Sequence, residues 1–346
     1  MVKKIYPPLS PEEIIFHNAA RTGKLKILKT KLDKININSR DMSESQLTAL
    51  HKAVMGGHIN VVKFLVKNGA LVNAKDKYGA TPLHISVQEG KLDVVKYLIE
   101  KGANVNGKAG TRSTPLHIAA LKGRLDVVKL LIERGANING KEKYGATPLY
   151  IAAQEGKIHV VKYLIEKGAN VDEKEIIGGT PLYIAAQEGK IDVVKYLIEE
   201  GANVEEKENT GTTPLLISIQ EGKLDVVKYL IEKGANIIEK TNDDTTPLYI
   251  AAKNGHSEIV NYLCRGLKRK AENDAPVPLE NWSNKDLCII CLAPRNRLYI
   301  LWPCGHASMC EFCCAQLLSK NPQNSKCPSC RKPIETYKQI FLQVPE

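Results

Sequence analysis

Threonine returns at Thr48, Thr81, Thr114, Thr147, Thr180, Thr213 and Thr246, a strict 33-residue period over seven units, and no other feature constrains the fold as tightly. Six of these units open Thr-Pro-Leu, and the first opens Thr-Ala-Leu. A period of this length belongs to supersecondary units that cannot hide their apolar faces alone and must stack on their neighbours. The expected fold class is therefore an α-solenoid. Composition agrees: 43% of residues are apolar but only 5% aromatic, so the core must come from Leu, Ile, Val and Ala, which suits packed helices better than a β-sandwich.

The unit Thr81–Ser113 carries the local logic. Thr81 is placed to cap a helix whose first residue is Pro82, where the missing N–H costs nothing. Gly90 ends that helix after about two turns because it accepts the left-handed conformation. Asp93 favours the positive end of a second helix, on which Val94, Val95, Leu98 and Ile99 form one apolar stripe. Gly102 stops this helix, and Ala103 to Ser113 make the connecting finger.

The Thr-Pro-Leu-His box and the Gly-Ala-Asn-Val-Asn stretch resemble the ankyrin repeat, and the resemblance covers residues 14–266, about eight repeats. Residues 1–13 read as an irregular N-terminus, 14–46 as a capping repeat with a lengthened connection, and 246–266 as the second cap. The box histidine stands at His51, His84 and His117 and gives way to Tyr150, Tyr183, Leu216 and Tyr249. Each histidine lies a repeat from the next without a close partner, so these read as packed hydrogen-bonding residues rather than metal ligands. Cys264 falls where Ile99 stands five repeats earlier and reads as a small buried hydrophobe. The helices are nearly identical between repeats while the finger tips differ, with Tyr78, Arg112, Tyr144, Ile177, Asn209 and Asp243 assigned to one equivalent position. An exposed tip is free to drift or to recognise something. Tyr78, Arg112, Tyr144 and Ile177, with the adjoining concave helices, are the expected surface for a protein substrate.

Near the other end stand Cys288, Cys291, Cys304, His306, Cys310, Cys313, Cys327 and Cys330, spaced C-x2-C-x12-C-x1-H-x3-C-x2-C-x13-C-x2-C. Four close pairs of soft or borderline ligands suffice for two closed tetrahedral zinc sites. A segment of roughly forty residues cannot bury enough apolar surface to fold alone, and zinc supplies the missing free energy. The ligand order resembles the cross-braced C3HC4 RING finger. That resemblance, rather than the spacing, implies two Zn2+ ions, one held by Cys288, Cys291, Cys310 and Cys313 and the other by Cys304, His306, Cys327 and Cys330. The x2 spacing leaves Cys314 a bystander.

The RING resemblance implies an E3 ubiquitin ligase, which holds a ubiquitin-charged conjugating enzyme (E2) and accelerates transfer to a substrate lysine by orientation, without a covalent intermediate of its own. No Gly-rich phosphate loop or Ser/His/Asp signature offers another chemistry, and closed zinc sites leave no open coordination position. The family's E2-facing positions correspond to Ile290, Leu317 and Pro328, and its cationic linchpin to Arg331. Core packing of a tiny domain is the alternative role of Ile290 and Leu317. The tail from Ile334 to Gln343 resembles that of the inhibitor-of-apoptosis RING proteins, in which an aromatic at the position of Phe341 supports dimerisation and reaches ubiquitin. A RING homodimer is therefore implied; a β-strand completing the RING core is the other account of Ile340, Phe341 and Leu342. The order of repeats followed by Pro303-Cys-Gly-His-Ala-Ser-Met-Cys also resembles the mind-bomb ligases.

Residues 267–285 read as a linker and 286–346 as the RING with its tail. The formal charge of +11 falls to about +8 once two zinc ions add four charges and seven thiolates remove seven. Lysines alternate with glutamates, which favours a solvated face over nucleic-acid binding. The opening Met-Val-Lys-Lys-Ile-Tyr-Pro-Pro lacks a leader pattern and no run reaches transmembrane length, so a soluble cytoplasmic protein with no membrane partner is expected. Lys268-Arg269-Lys270 fits a nuclear import signal or a solvated basic helix end equally. The alternative function is a non-catalytic ankyrin scaffold whose RING serves dimerisation or assembly.

Overall fold

The computed structural model describes residues 9–41, 45–243 and 245–263 and three strands at 298–302, 306–310 and 336–340. Two compact units are present, residues 1–185 with 196–202 and residues 186–195 with 203–346. In the first unit helices come in pairs: α1 (Pro11–Arg21) with α2 (Leu25–Lys31), α3 (Ala49–Met55) with α4 (Ile59–Lys67), and α5 (Pro82–Glu89) with α6 (Leu92–Glu100). Next come α7 (Pro115–Lys122) with α8 (Leu125–Glu133) and α9 (Pro148–Gln154) with α10 (Ile158–Glu166). Odd-numbered helices stack in one row and even-numbered helices in another. Along the chain follow α11 (Pro181–Gln187) and α12 (Ile191–Glu199). In the second unit α13 (Pro214–Gln220) packs on α14 (Leu224–Glu232) and α15 (Pro247–Lys253), and 257–263 is helical.

The threonine period marks helix starts. Thr81 and Thr114 sit at N-caps with extended backbone, each followed by proline at the first helical position. Gly90 takes the left-handed conformation at φ +68 and closes α5, as its sequence position predicts. On each second helix the paired valines and the following leucine are buried: Val61, Val62 and Leu65; Val94, Val95 and Leu98; Val127, Val128 and Leu131. Burying each such side chain contributes about 1.5–3 kcal/mol, which two short helices could not collect without neighbours. Ile99, expected in the same stripe, is only half-buried. Asparagines stitch consecutive repeats: Asn73 donates to the Gly102 carbonyl at 2.9 Å and accepts from the Asn104 amide at 2.9 Å.

Residues 11–13, expected in an irregular stretch, are helical: the Ser10 hydroxyl accepts from the Glu13 amide and the Glu13 carboxylate accepts from the Ser10 amide. This capping box holds α1 from Pro11 onward.

Successive fingers bond edge to edge, the Ile176 amide donating to the Tyr144 carbonyl at 2.9 Å. Gly145 sits at φ +83, and a Cβ there would lie 2.9 Å from that Ile176 nitrogen. Gly135 has the same φ of +83 with nothing within 4 Å. Gly135→Ala is therefore expected to cost only left-handed strain, about 1 kcal/mol, whereas Gly145→Ala should cost roughly 2–3 kcal/mol by also separating two fingers. Urea midpoints of the two variants measure the difference, and equal shifts would contradict it.

Beyond the repeats lies a three-stranded antiparallel sheet of order β2-β1-β3, with β1 (Leu298–Trp302) central, β2 (His306–Cys310) on one side and β3 (Thr336–Ile340) on the other. The β1–β2 register shifts between Tyr299 and Ile300. No helix among the described residues is long and apolar enough to cross a membrane.

Candidate functional site

The finger tips carry exposed bulk. Tyr78 and Tyr144 are each 55% exposed, Ile177 57% and Ile176 64%. A carboxylate shapes each tip from inside: Asp76 accepts from the Tyr78 and Ala80 amides, Glu142 from those of Tyr144 and Ala146, and Glu175 from those of Ile177 and Gly179. These turns present aromatic and apolar side chains on a rigid backbone, the arrangement recognition surfaces use.

The bonds between fingers correct the alignment of the tips. Gly110 donates to the Tyr78 carbonyl, Lys143 to that of Thr111 and Ile176 to that of Tyr144. Thr111, not Arg112, is thus the counterpart of Tyr78 and Tyr144, and by the same bond from Asn242 the position belongs to Thr210, not Asn209. Matching the bulkier or more polar neighbour shifts the register by one residue, and strict period counting would have found Thr111.

Arg112 instead occupies the position of Gly79, Gly145 and Gly178. Those glycines have φ of +81, +83 and +87, and Arg112 is held at +66. Its side chain is exposed and forms no hydrogen bond or ion pair with the described residues. A long cation kept in a strained conformation without a partner among the described residues adds no stability at this position. Arg112→Gly is expected to raise stability by up to about 1 kcal/mol, since relieved strain exceeds the entropy glycine adds to the unfolded chain. A thermal melt that falls would overturn this.

The box histidines act between repeats. Nδ1 of His51, His84 and His117 each accepts from the amide of the capping threonine at 3.2 Å, so Nε2 carries the proton. Nε2 donates to the next finger, at the Ala80, Gly107 and Ala146 carbonyls. These residues are packed and bonded, as expected from their spacing. His17 is a fourth member that the pattern hides: it stands 34 residues before His51 rather than 33, and Ile14 replaces the threonine. Its Nδ1 is buried without a partner, while Nε2 lies 3.2 Å from the Ser39 hydroxyl. Burial pushes both His17 and His51 down to about 4, and it lowers His84 and His117 as well.

Of the zinc-ligand candidates, His306 and Cys310 are the first and last residues of β2. Cys288, Cys291, Cys304, Cys313, Cys327 and Cys330 lie outside the described residues, as do Ile290, Leu317, Pro328, Arg331 and Phe341. So do Cys264, Cys314, Lys268-Arg269-Lys270 and the linker 267–285. Ile340 ends β3, paired with Leu298 across the sheet. Ile340 therefore lies in a strand, and Phe341 and Leu342 lie outside the described residues. A donor set of seven cysteines and one histidine suits zinc, to which both thiolate and imidazole bind strongly.

Comparison with known proteins follows this division. The family model described as ankyrin repeats matches in three copies, at residues 16–109, 107–175 and 182–276, and that of the C3HC4-type zinc finger (RING finger) matches residues 284–337. The crystal structure of the human ASB11 ankyrin repeat domain superposes with a TM-score of 0.58 at 31% identity, covering 66% of this chain and 99% of that one. Among curated relatives, the mouse RelA-associated inhibitor is 36% identical over 69 residues, 20% of this chain and 8% of its own. Human protein phosphatase 1 regulatory subunit 27 is 36% identical over 72 residues, 21% of this chain and 47% of its own. The chain spans about half or less of the length of such relatives. With its stacked helix pairs and capping threonines, the chain belongs to the ankyrin-repeat family and carries a C3HC4-type RING finger after its repeats.

Proposed function

We propose that this protein is a RING-type E3 ubiquitin ligase whose ankyrin repeats hold a protein substrate while the RING holds a ubiquitin-charged E2. The observation that carries the proposal is the joining, in one chain, of a full C3HC4 ligand set to a repeat array with exposed, rigid finger tips. Cys288, Cys291, Cys310 and Cys313 would hold one zinc, and Cys304, His306, Cys327 and Cys330 the other. Bound zinc supplies folding free energy to a segment too small to fold without it. This pairing of ligands rests on the family's ligand order.

Transfer then needs no covalent step on this chain. Ile290, Leu317 and Pro328 form an apolar seat for the E2, and Arg331 bridges E2 and ubiquitin so that the thioester meets the substrate lysine in a reactive geometry. Phe341 of a second copy would complete the hold on ubiquitin, which makes the active species a RING homodimer. Cytoplasm and nucleus both supply the E2 and ubiquitin this requires. The test is autoubiquitination by zinc-loaded protein across a panel of E2 enzymes. Ladders are expected with at least one E2 and should vanish after chelation. Folded, zinc-replete protein that yields none would favour the scaffold alternative.

A further inference from the structure

Between the fingers of the first unit lies a cleft of about 300 Å3. The residues lining it include Tyr144, Tyr150, Ile151, Gln154, Glu142 and Glu175. Glu142 accepts the Tyr144 and Ala146 amides through Oε1 alone, at 2.6 and 3.3 Å, so Oε2 has no partner among the described residues. Glu175 turns both oxygens to its own finger, receiving the Ile177 and Gly179 amides.

Of the cations nearby, Lys141 is engaged outside this cleft. Lys141 is paired with Glu173 at 2.6 Å and donates to the Lys174 carbonyl. Arg112 is exposed at the neighbouring tip. Lys143 lies over the Tyr144 ring, its Nζ 5.1 Å from the centroid, so this ring already attracts a cation. A concave site lined by two tyrosines and an isoleucine, with a carboxylate oxygen left unbonded among the described residues, complements one kind of group: a positive charge at the end of an apolar stem.

We infer that the cleft between Thr111 and Glu175 receives a lysine or arginine side chain of a linear substrate peptide, the stem against Ile151 and Tyr150 and the charge against Glu142 and Tyr144. The inference rests on the substrate-recruiting role of the repeats and names the chemistry that they select.

The probe is a library of degenerate nonapeptides fixed at the central position as arginine, lysine, glutamate or leucine, retained on immobilised full chain. Arginine and lysine pools should be retained roughly 5-fold above the other two. Glu142→Gln keeps an oxygen for both finger amides and removes only the charge, so it should bring the pools to parity without moving the melt. Tyr144→Ala should do the same, and Leu71→Ser, exposed and outside the cleft, should leave the preference intact. Equal retention of all four pools by the unmodified chain overturns the inference, as does a basic preference that survives Glu142→Gln. Autoubiquitination is read on the same preparation. Ladders without a basic preference discard this inference alone, and a basic preference without ladders discards the ligase alone.

Discussion

Taking the protein from pH 7 to pH 4.5 is expected to open its first repeats well before its later ones. In an unfolded chain a histidine protonates near 6.5, whereas buried His17 and His51 resist protonation until about 4. Between those values the unfolded state binds more protons, so stability rises with pH across the window and is lost as pH falls from 6.5 to 4. Each of the two contributes a loss of about 3 kcal/mol at the lower end, and His84 and His117 add to it in the same direction.

Geometry gives the same sign. At His51 a proton on Nδ1 would face the Thr48 amide, donor against donor, at 3.2 Å. The charges around these rings do not reverse it: Asp41 and Glu13 favour protonation of His17 but Lys52 opposes it, and Asp76 favours protonation of His51 while Arg40 opposes it. Repeats from Thr147 onward carry Tyr150, Tyr183, Leu216 and Tyr249 at the box and lack this liability. Hydrogen exchange at pH 5 and pH 7, corrected for intrinsic rates, should show protection lost over residues 11–122 and kept over 147–250. His51→Gln should flatten the pH slope even though it lowers stability at pH 7. Loss that begins in the later repeats, or a slope unchanged by that substitution, would refute the assignment.

The same box explains how far the sequence can be read. Helix starts, helix ends and the valine–leucine core follow from the strict period because each unit repeats one local solution, with threonine as cap, proline at the first position and a left-handed glycine at the end. Where the period slips, legibility fails. His17 is one residue out of step with His51, so counting by 33 misses it, although its ring occupies the same buried place. Arg112 was open to misalignment because side-chain bulk, unlike backbone hydrogen bonding, carries no register. The finger carboxylates are invisible to hydropathy patterns, since Glu142 and Glu175 look like ordinary surface charges until their amide partners are seen. Of the zinc module, spacing gives the candidate ligands, and two of them, His306 and Cys310, bound β2.

Ile290→Ala and Arg331→Ala are both expected to erase ubiquitin ladders, at different steps. Ile290 lies one residue before Cys291 and, with Leu317 and Pro328, would offer the E2 a small apolar seat. Truncating it removes buried apolar area and should weaken E2 binding at least about 10-fold, the equivalent of roughly 1.4 kcal/mol. Arg331 follows the last ligand, and its planar fork would touch E2 and ubiquitin together. Losing it leaves the apolar seat intact, so E2 affinity should change little. Discharge of the thioester onto free lysine, by contrast, should slow by up to about 100-fold, because the gain depends on orientation. Arg331→Lys should recover little, as an ammonium keeps the charge but not the fork. Titration of E2 and single-turnover discharge separate the two steps, and melting of the zinc-loaded variants guards against a folding defect. If Ile290 is instead part of the domain core, Ile290→Ala will melt early and lose zinc. If both variants discharge E2 as fast as the parent does, the apolar seat and linchpin carry no transfer function, and the RING is an assembly module joined to a recognition array.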